Sequence, residues 1–83
     1  MFTSKSPTLD LHGEYCSLAA TLINDFINDN IKMKNEYIAI VHGKSTGLMT
    51  RKTHEVLKSN KNVIEYYIHP WNTGMTVVRL KIK

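Results

Sequence analysis

Cysteine is almost missing from this chain, with one, Cys16, among 83 residues. A single thiol excludes an internal disulfide, and without a Cys-x-x-Cys pair neither a structural zinc site nor dithiol redox chemistry has a basis. Cys16 is expected to act as a small apolar filler on a helix. Proline is nearly as scarce, and both prolines, Pro7 and Pro70, fall in segments that lack periodicity or are rich in turn residues. Long hydrophobic runs are missing too: the longest purely apolar one is Tyr37 to Val41, far short of the roughly 20 residues of a membrane span. No charged start followed by an apolar stretch marks a secretory signal, so a cytoplasmic chain with no membrane partner is expected. Acidic residues are the minority, seven against eleven Lys and Arg, for a formal charge of +4. Such a balance permits a polyanionic partner.

What is present reads as one small folded unit. Hydrophobic content of 42% and charged content of 22% are ordinary for a globular domain and exclude a disordered tail. Eighty-three residues cannot support two independent cores. Residues 1–7 carry no periodicity and are expected to be a flexible lead-in, with a single domain over 8–83. No repeat or low-complexity segment interrupts it.

Leu9 to Leu11 opens with a short strand. Tyr15, Leu18, Ala19, Leu22, Phe26 and Ile27 then recur at three- and four-residue steps, which predicts an amphipathic helix of about four turns. Tyr37 to Val41 is apolar on both faces, as an interior strand would be. A second helix after Gly47 fits Met49, Thr53, Val56 and Leu57 facing inward, with Asn60 and Asn62 at its end. Val63 to Ile68 reads as a third strand, Pro70 to Gly74 as a turn holding the one tryptophan, Trp71, and Met75 to Ile82 as a closing strand. On that strand Val78, Leu80 and Ile82 share one face, expected to be core, and Val77, Arg79, Lys81 and Lys83 share the other, expected to be a basic stripe. The predicted fold class is α/β: a two-layer sandwich of order β-α-β-α-β-β, with a four-stranded mixed sheet and two helices on one face.

Two histidine-glycine turns stand where strands give way to helices: Leu9-Asp10-Leu11-His12-Gly13 and Val41-His42-Gly43-Lys44-Ser45-Thr46-Gly47. In sheets fed by such units, ligands gather outside the carboxyl ends of the strands, so both turns should face one cleft. Asp10 and His12 are two apart and should point to one side, where a carboxylate can orient an imidazole. Gly43 and Gly47 let the second turn expose backbone amides, the next helix adds its positive end, and Lys44 adds a mobile charge, a combination suited to phosphate. Gly43-Lys44-Ser45 is not a nucleoside-triphosphate loop, because that motif needs a glycine where Ile38 stands. Taken singly, His12 and His42 are also compatible with plain turn or cap residues. His54 and His69 lack metal-ligand spacing and are expected to be structural or at the surface. Trp71, Tyr66 and Tyr67 could stack bases, although packing is the commoner use of rings beside strands.

These residues resemble the Smr (small MutS-related) domain family over nearly the whole chain, from about Leu9 to Leu80. The family's Leu-Asp-x-His signature is complete as Leu9-Asp10-Leu11-His12. Its His-Gly-x-Gly signature is partly kept as His42-Gly43-Lys44-Ser45, with Thr46-Gly47 after it. His54-Glu55 and Gly74-Met75-Thr76-Val77-Val78-Arg79-Leu80 look like the family's helical and closing-strand segments. Ser45 replaces a glycine, Thr50 stands where arginine is common with Arg51 one place later, and Asn72-Thr73 occupy a loop usually richer in glycine.

The resemblance implies a fold similar to the C-terminal domain of bacterial translation initiation factor three. It also implies nucleic-acid binding and, in many members, endonuclease activity, on DNA in recombination control or on RNA at stalled ribosomes. On that reading the catalytic set is His12, which moves a proton, Asp10, which fixes its ring, and His42, which with Lys44 and the glycine-turn amides holds the scissile phosphate. Gly43, Lys44, Ser45, Thr46, Gly47, Arg51, Arg79 and Lys81 then contact nucleic acid. No dedicated metal site or organic cofactor is expected, and the compatible ion is a weakly held Mg²⁺ bridged by substrate. The alternative is a noncatalytic nucleic-acid or ribosome-binding module, and a protein-interaction domain is a third reading. The charged edge at Arg79, Lys81 and Lys83 argues for a monomer.

Overall fold

A computed structural model describes residues 1–44 and 47–82. The elements follow the expected order: β1 (Thr8–Asp10), α1 (Cys16–Lys32), β2 (Tyr37–Val41), α2 (Leu48–Ser59), β3 (Val63–Ile68) and β4 (Met75–Leu80). They build a four-stranded sheet in the order β1-β2-β4-β3. β1 and β2 are parallel, whereas β4 runs antiparallel to both β2 and β3. The carboxyl ends of β1, β2 and β3 and the start of β4 therefore meet at one end of the sheet.

Side-chain parity places the core. Ile38 and Val78 are cross-strand partners, and with Ile40 and Leu80 they bury against Ala19, Ile23 and Ile27 of α1 and Val56 and Leu57 of α2. Both helices thus cover the same face, as expected for a two-layer sandwich. The apolar stripe of α1 holds at Ala19, Leu22, Phe26 and Ile27, which lie in the core or pack against it, and departs from the sequence expectation at its start. Ala19, Ile23, Ile27 and Asn30 are its buried positions, whereas Tyr15, which caps the helix in an extended conformation, and Leu18 are exposed. Cys16, the first helical residue, is exposed and not a core filler, because this first turn stands beside the open end of the sheet. Asn30 is buried with its bonds made: its amide donates to the Phe26 carbonyl and its carbonyl oxygen accepts from Asn35 Nδ2, which fixes the entry to β2.

β4 departs from expectation because it lies between β2 and β3. A central strand is flanked on both edges, so neighbouring side chains crowd even the face turned away from the helices. Val77 and its partner Ala39 are both buried there, so among the described residues the expected basic stripe does not include this position. Arg79 is half-exposed and its Nε lies 2.6 Å from Glu36 Oε2. Lys83 lies outside the described residues.

Candidate functional site

Three loops meet at the open end of the sheet, and backbone hydrogen bonds join them. Leu11 N–H donates to the Val41 carbonyl at 2.8 Å, tying the first histidine turn to the second. The Gly74 carbonyl accepts from both His42 N–H (2.8 Å) and Gly43 N–H (3.0 Å), tying the second turn to the β3–β4 loop. The approach is close enough that a Cβ at Gly74 would lie 3.1 Å from Lys44 Cγ and 3.3 Å from the Gly43 backbone. Gly43 itself has φ +85° with open space around it, so there the requirement is conformational. Its amide is bonded internally and not offered to a ligand, contrary to expectation.

A cleft of about 390 Å³ opens between the two histidine turns and the start of α2, with His12, Glu14, His42 and Lys44 among its lining residues. A larger hollow of about 560 Å³ lies between the helices, beside Asn24, Asn28 and Asn60, and no histidine lines it. The chemistry therefore concentrates at the sheet end.

His12 is exposed and lies beyond the end of β1. Asp10 does not orient its ring: Asp10 Oδ1 accepts from the His12 backbone N–H at 2.8 Å. The strand ends at Asp10, so strand alternation no longer governs His12, and the short carboxylate folds forward onto the turn instead.

His42 is 6% exposed, and both ring nitrogens have partners. Nδ1 lies 2.8 Å from Thr50 Oγ1 and 3.1 Å from the Gly43 carbonyl, and Nε2 lies 2.8 Å from Thr76 Oγ1. The same Thr76 hydroxyl lies 2.7 Å from His54 Nε2. With one proton, that hydroxyl donates to one imidazole and accepts from the other. His54 is therefore not a surface residue. It sits between α2 and the sheet, its ring 5.1 Å from that of Tyr66, and burial, with His42 as the lesser cause, holds its pKa below the usual histidine range.

Lys44 is exposed at the cleft, and Ser45 and Thr46 lie outside the described residues. Gly47, at φ +78°, caps α2, and Arg51 is exposed on that helix. Arg79 and Lys81 are not brought to the cleft. Met75 pairs with Val41 at the cleft end, but Arg79 pairs with Tyr37 at the other, and Lys81 donates its backbone N–H to Asn62 beyond that. Among the described residues, no three His, Cys, Asp or Glu side chains converge as a metal-binding group.

Comparison with known proteins places this arrangement. The Smr domain model matches residues 9–81. This chain belongs to the Smr domain family. An Endonuclease MutS2 of Halothermothrix orenii is 32% identical over 79 residues, covering 92% of this chain, and one of Helicobacter pylori is 32% identical over 72 residues, covering 87%. The chain spans about a tenth of the length of these relatives. The crystal structure of the Smr domain of Thermus thermophilus MutS2 superimposes with a TM-score of 0.86 at 25% identity, covering 89% of this chain and 96% of that one. YdaL, a stand-alone small MutS-related protein from Escherichia coli, gives 0.78 at 20% identity, covering 94% and 69%.

Within this Smr domain, Thr50, His54 and Thr76 are the site residues that sequence reasoning missed. Two signals were available. Thr50 and His54 are four apart and so share a helix face, and Thr76 has the parity of Val78 and Leu80, a polar residue at a core position.

Proposed function

We propose that this Smr domain binds the sugar-phosphate backbone of nucleic acid in the sheet-end cleft and cleaves it, with His12 as the proton-transferring group. The observation that carries this reading is the shared cleft, which holds an exposed imidazole, His12, and an exposed ammonium, Lys44. The relatives named Endonuclease MutS2 support it. Lys44 neutralises the phosphate, and the start of α2 adds its positive end. His12 accepts the proton of the attacking hydroxyl or water as the new P–O bond forms and the P–O bond to the leaving strand breaks, and the proton passes on to the leaving oxygen. Asp10 is a positioning residue that fixes the backbone from which His12 projects. His42 is also a positioning residue, since its ring bonds tie α2 and β4 to the turn that carries Lys44. Any Mg²⁺ would be bridged by the substrate and not held by a preformed cage. We place the domain in the cytoplasm as a monomer, with DNA or RNA as partner, on the ribosome in the RNA case.

A second reading, a noncatalytic nucleic-acid-binding module, is favoured by the internal bonding of the Asp10 and His42 side chains, which leaves His12 as the one of the three candidates whose side chain is not engaged by hydrogen bonds among the described residues. Single-stranded RNA and plasmid DNA would be incubated with wild type and His12→Ala, with and without EDTA. The catalytic reading expects cleavage that the substitution abolishes, and equal cleavage by both proteins overturns the role of His12. Salt-sensitive binding with no cleavage by wild type would establish the second reading. Loss of activity in EDTA would assign a metal to the reaction.

A further inference from the structure

Trp71 is 89% exposed, an unusual position for the largest apolar side chain. The loop that carries it is not loose. His69 Nδ1 accepts from both Trp71 N–H (3.1 Å) and Asn72 N–H (3.2 Å), and Asn72 Oδ1 accepts from Gly74 N–H (3.1 Å). Met75 N–H donates to the Asn72 carbonyl, and His69 N–H donates to that of Met75. The His69 ring stands 6.1 Å from that of Trp71 and 6.0 Å from that of Phe2. The backbone is thus held on both sides of an indole whose ring is left to solvent, which lowers the ordering cost of binding there.

The same loop ends at Gly74, whose carbonyl holds His42 and Gly43 and whose Cα lies against Lys44. Trp71 and Gly74 are three positions apart, a span of at most roughly 11 Å. An ammonium and an exposed aromatic face are therefore presented by one bonded unit. Aromatic faces with nearby cations are how proteins hold unpaired strands, because every base offers a π-face while the phosphates carry the charge.

We propose that Trp71 is a base-stacking platform for an unpaired nucleobase of a strand whose phosphate lies at Lys44. This rests on the reading that nucleic acid occupies the sheet-end cleft, and it adds a preference for single strands over duplex. The net charge of +4 and the approach of this loop to Lys44, which lines the cleft, favour this occupant over an apolar protein surface.

Trp71 is the one tryptophan, so the fluorescence of the intact chain reports on it directly. Three end-labelled probes are titrated at low salt, with probe anisotropy reporting affinity for every variant and Trp71 quenching reporting stacking: single-stranded oligothymidylate, an abasic strand of equal length, and a duplex. Oligothymidylate should quench Trp71, while the abasic strand binds without quenching. Trp71→Ala should weaken oligothymidylate binding about 5- to 100-fold and leave abasic binding unchanged, with Trp71→Phe intermediate. Oligothymidylate binding that is unquenched and equal in Trp71→Ala overturns the platform and leaves the nucleic-acid reading standing. Binding of no strand overturns both. Self-association that Trp71→Ala abolishes, with no loss of oligothymidylate affinity, overturns it in favour of contact between copies.

Discussion

The Thr76 hydroxyl carries more of the site than its size suggests. It is fully buried and is the shared partner of two imidazoles that come from a loop and from α2. Thr76→Val keeps the shape but removes the proton and lone pairs, leaving His42 Nε2 and His54 Nε2 without this partner. The expected cost is about 1–3 kcal/mol, read as a lower urea midpoint with an unchanged slope, and Thr76→Ser should recover most of it. His54 adds a pH dependence of defined sign. The groups facing it are His42, Thr76 and Tyr66, none of them an anion that would favour its charge. Because burial lowers its pKa from 6.5, the unfolded chain takes up a proton as pH falls through about 6.5, and the folded domain does so only at lower pH. The unfolded state binds more protons in that window, so stability falls as pH drops below about 6.5. Urea titrations across the window should show His54→Gln with a shallower decline than wild type.

At the level of elements, the clasp between the β3–β4 loop and the second histidine turn decides whether the cleft exists. Gly74→Ala places a methyl 3.1 Å from Lys44 Cγ and 3.3 Å from the Gly43 backbone. The lysine side chain can yield, but the backbone yields only by breaking the bonds to the Gly74 carbonyl, at about 1–3 kcal/mol. Hydrogen exchange should then speed up at the His42 and Gly43 amides. Gly43→Ala meets no atom and costs only the strain of a positive φ, about 1–2 kcal/mol, and should leave His42 protected.

The strands and helices themselves were legible, since the unbroken apolar, β-rich run Tyr37 to Val41 and the three- and four-residue steps after Gly47 are local signals. The position of β4 between β2 and β3 was not, because pairing partners far apart in sequence leave no local mark. The burial of Val77 and the dispersal of the basic stripe both follow from that one unseen fact. The first histidine turn was legible as a loop at the cleft but not as a geometry, for the strand stops at Asp10 and its carboxylate bonds backbone instead of ring. The second concealed its network because Thr50, His54 and Thr76 come from two elements that only the fold brings together.

For the whole molecule, the placement of charge separates residues that sequence alone grouped. Lys44 lies at the cleft end of the sheet, and Lys81 lies past the opposite end of β4. A strand of six residues is about 17–20 Å long, twice the distance over which exposed charges are felt at physiological salt, about 8 Å. A phosphate in the cleft therefore interacts with Lys44 and hardly with Lys81. Lys44→Ala should weaken nucleic-acid binding and reduce the slope of log affinity against log salt by about 1, whereas Lys81→Ala should change neither. The comparison is informative because both substitutions remove one positive charge from an exposed side chain and alter the net charge equally. Equal losses from the two variants, measured by fluorescence anisotropy across a salt series, would mean that binding follows total charge and that the cleft has no special claim on the strand. A loss confined to Lys44→Ala would locate the phosphate at the junction of the three loops, where the Gly74 carbonyl holds the turn and His12 stands beside it.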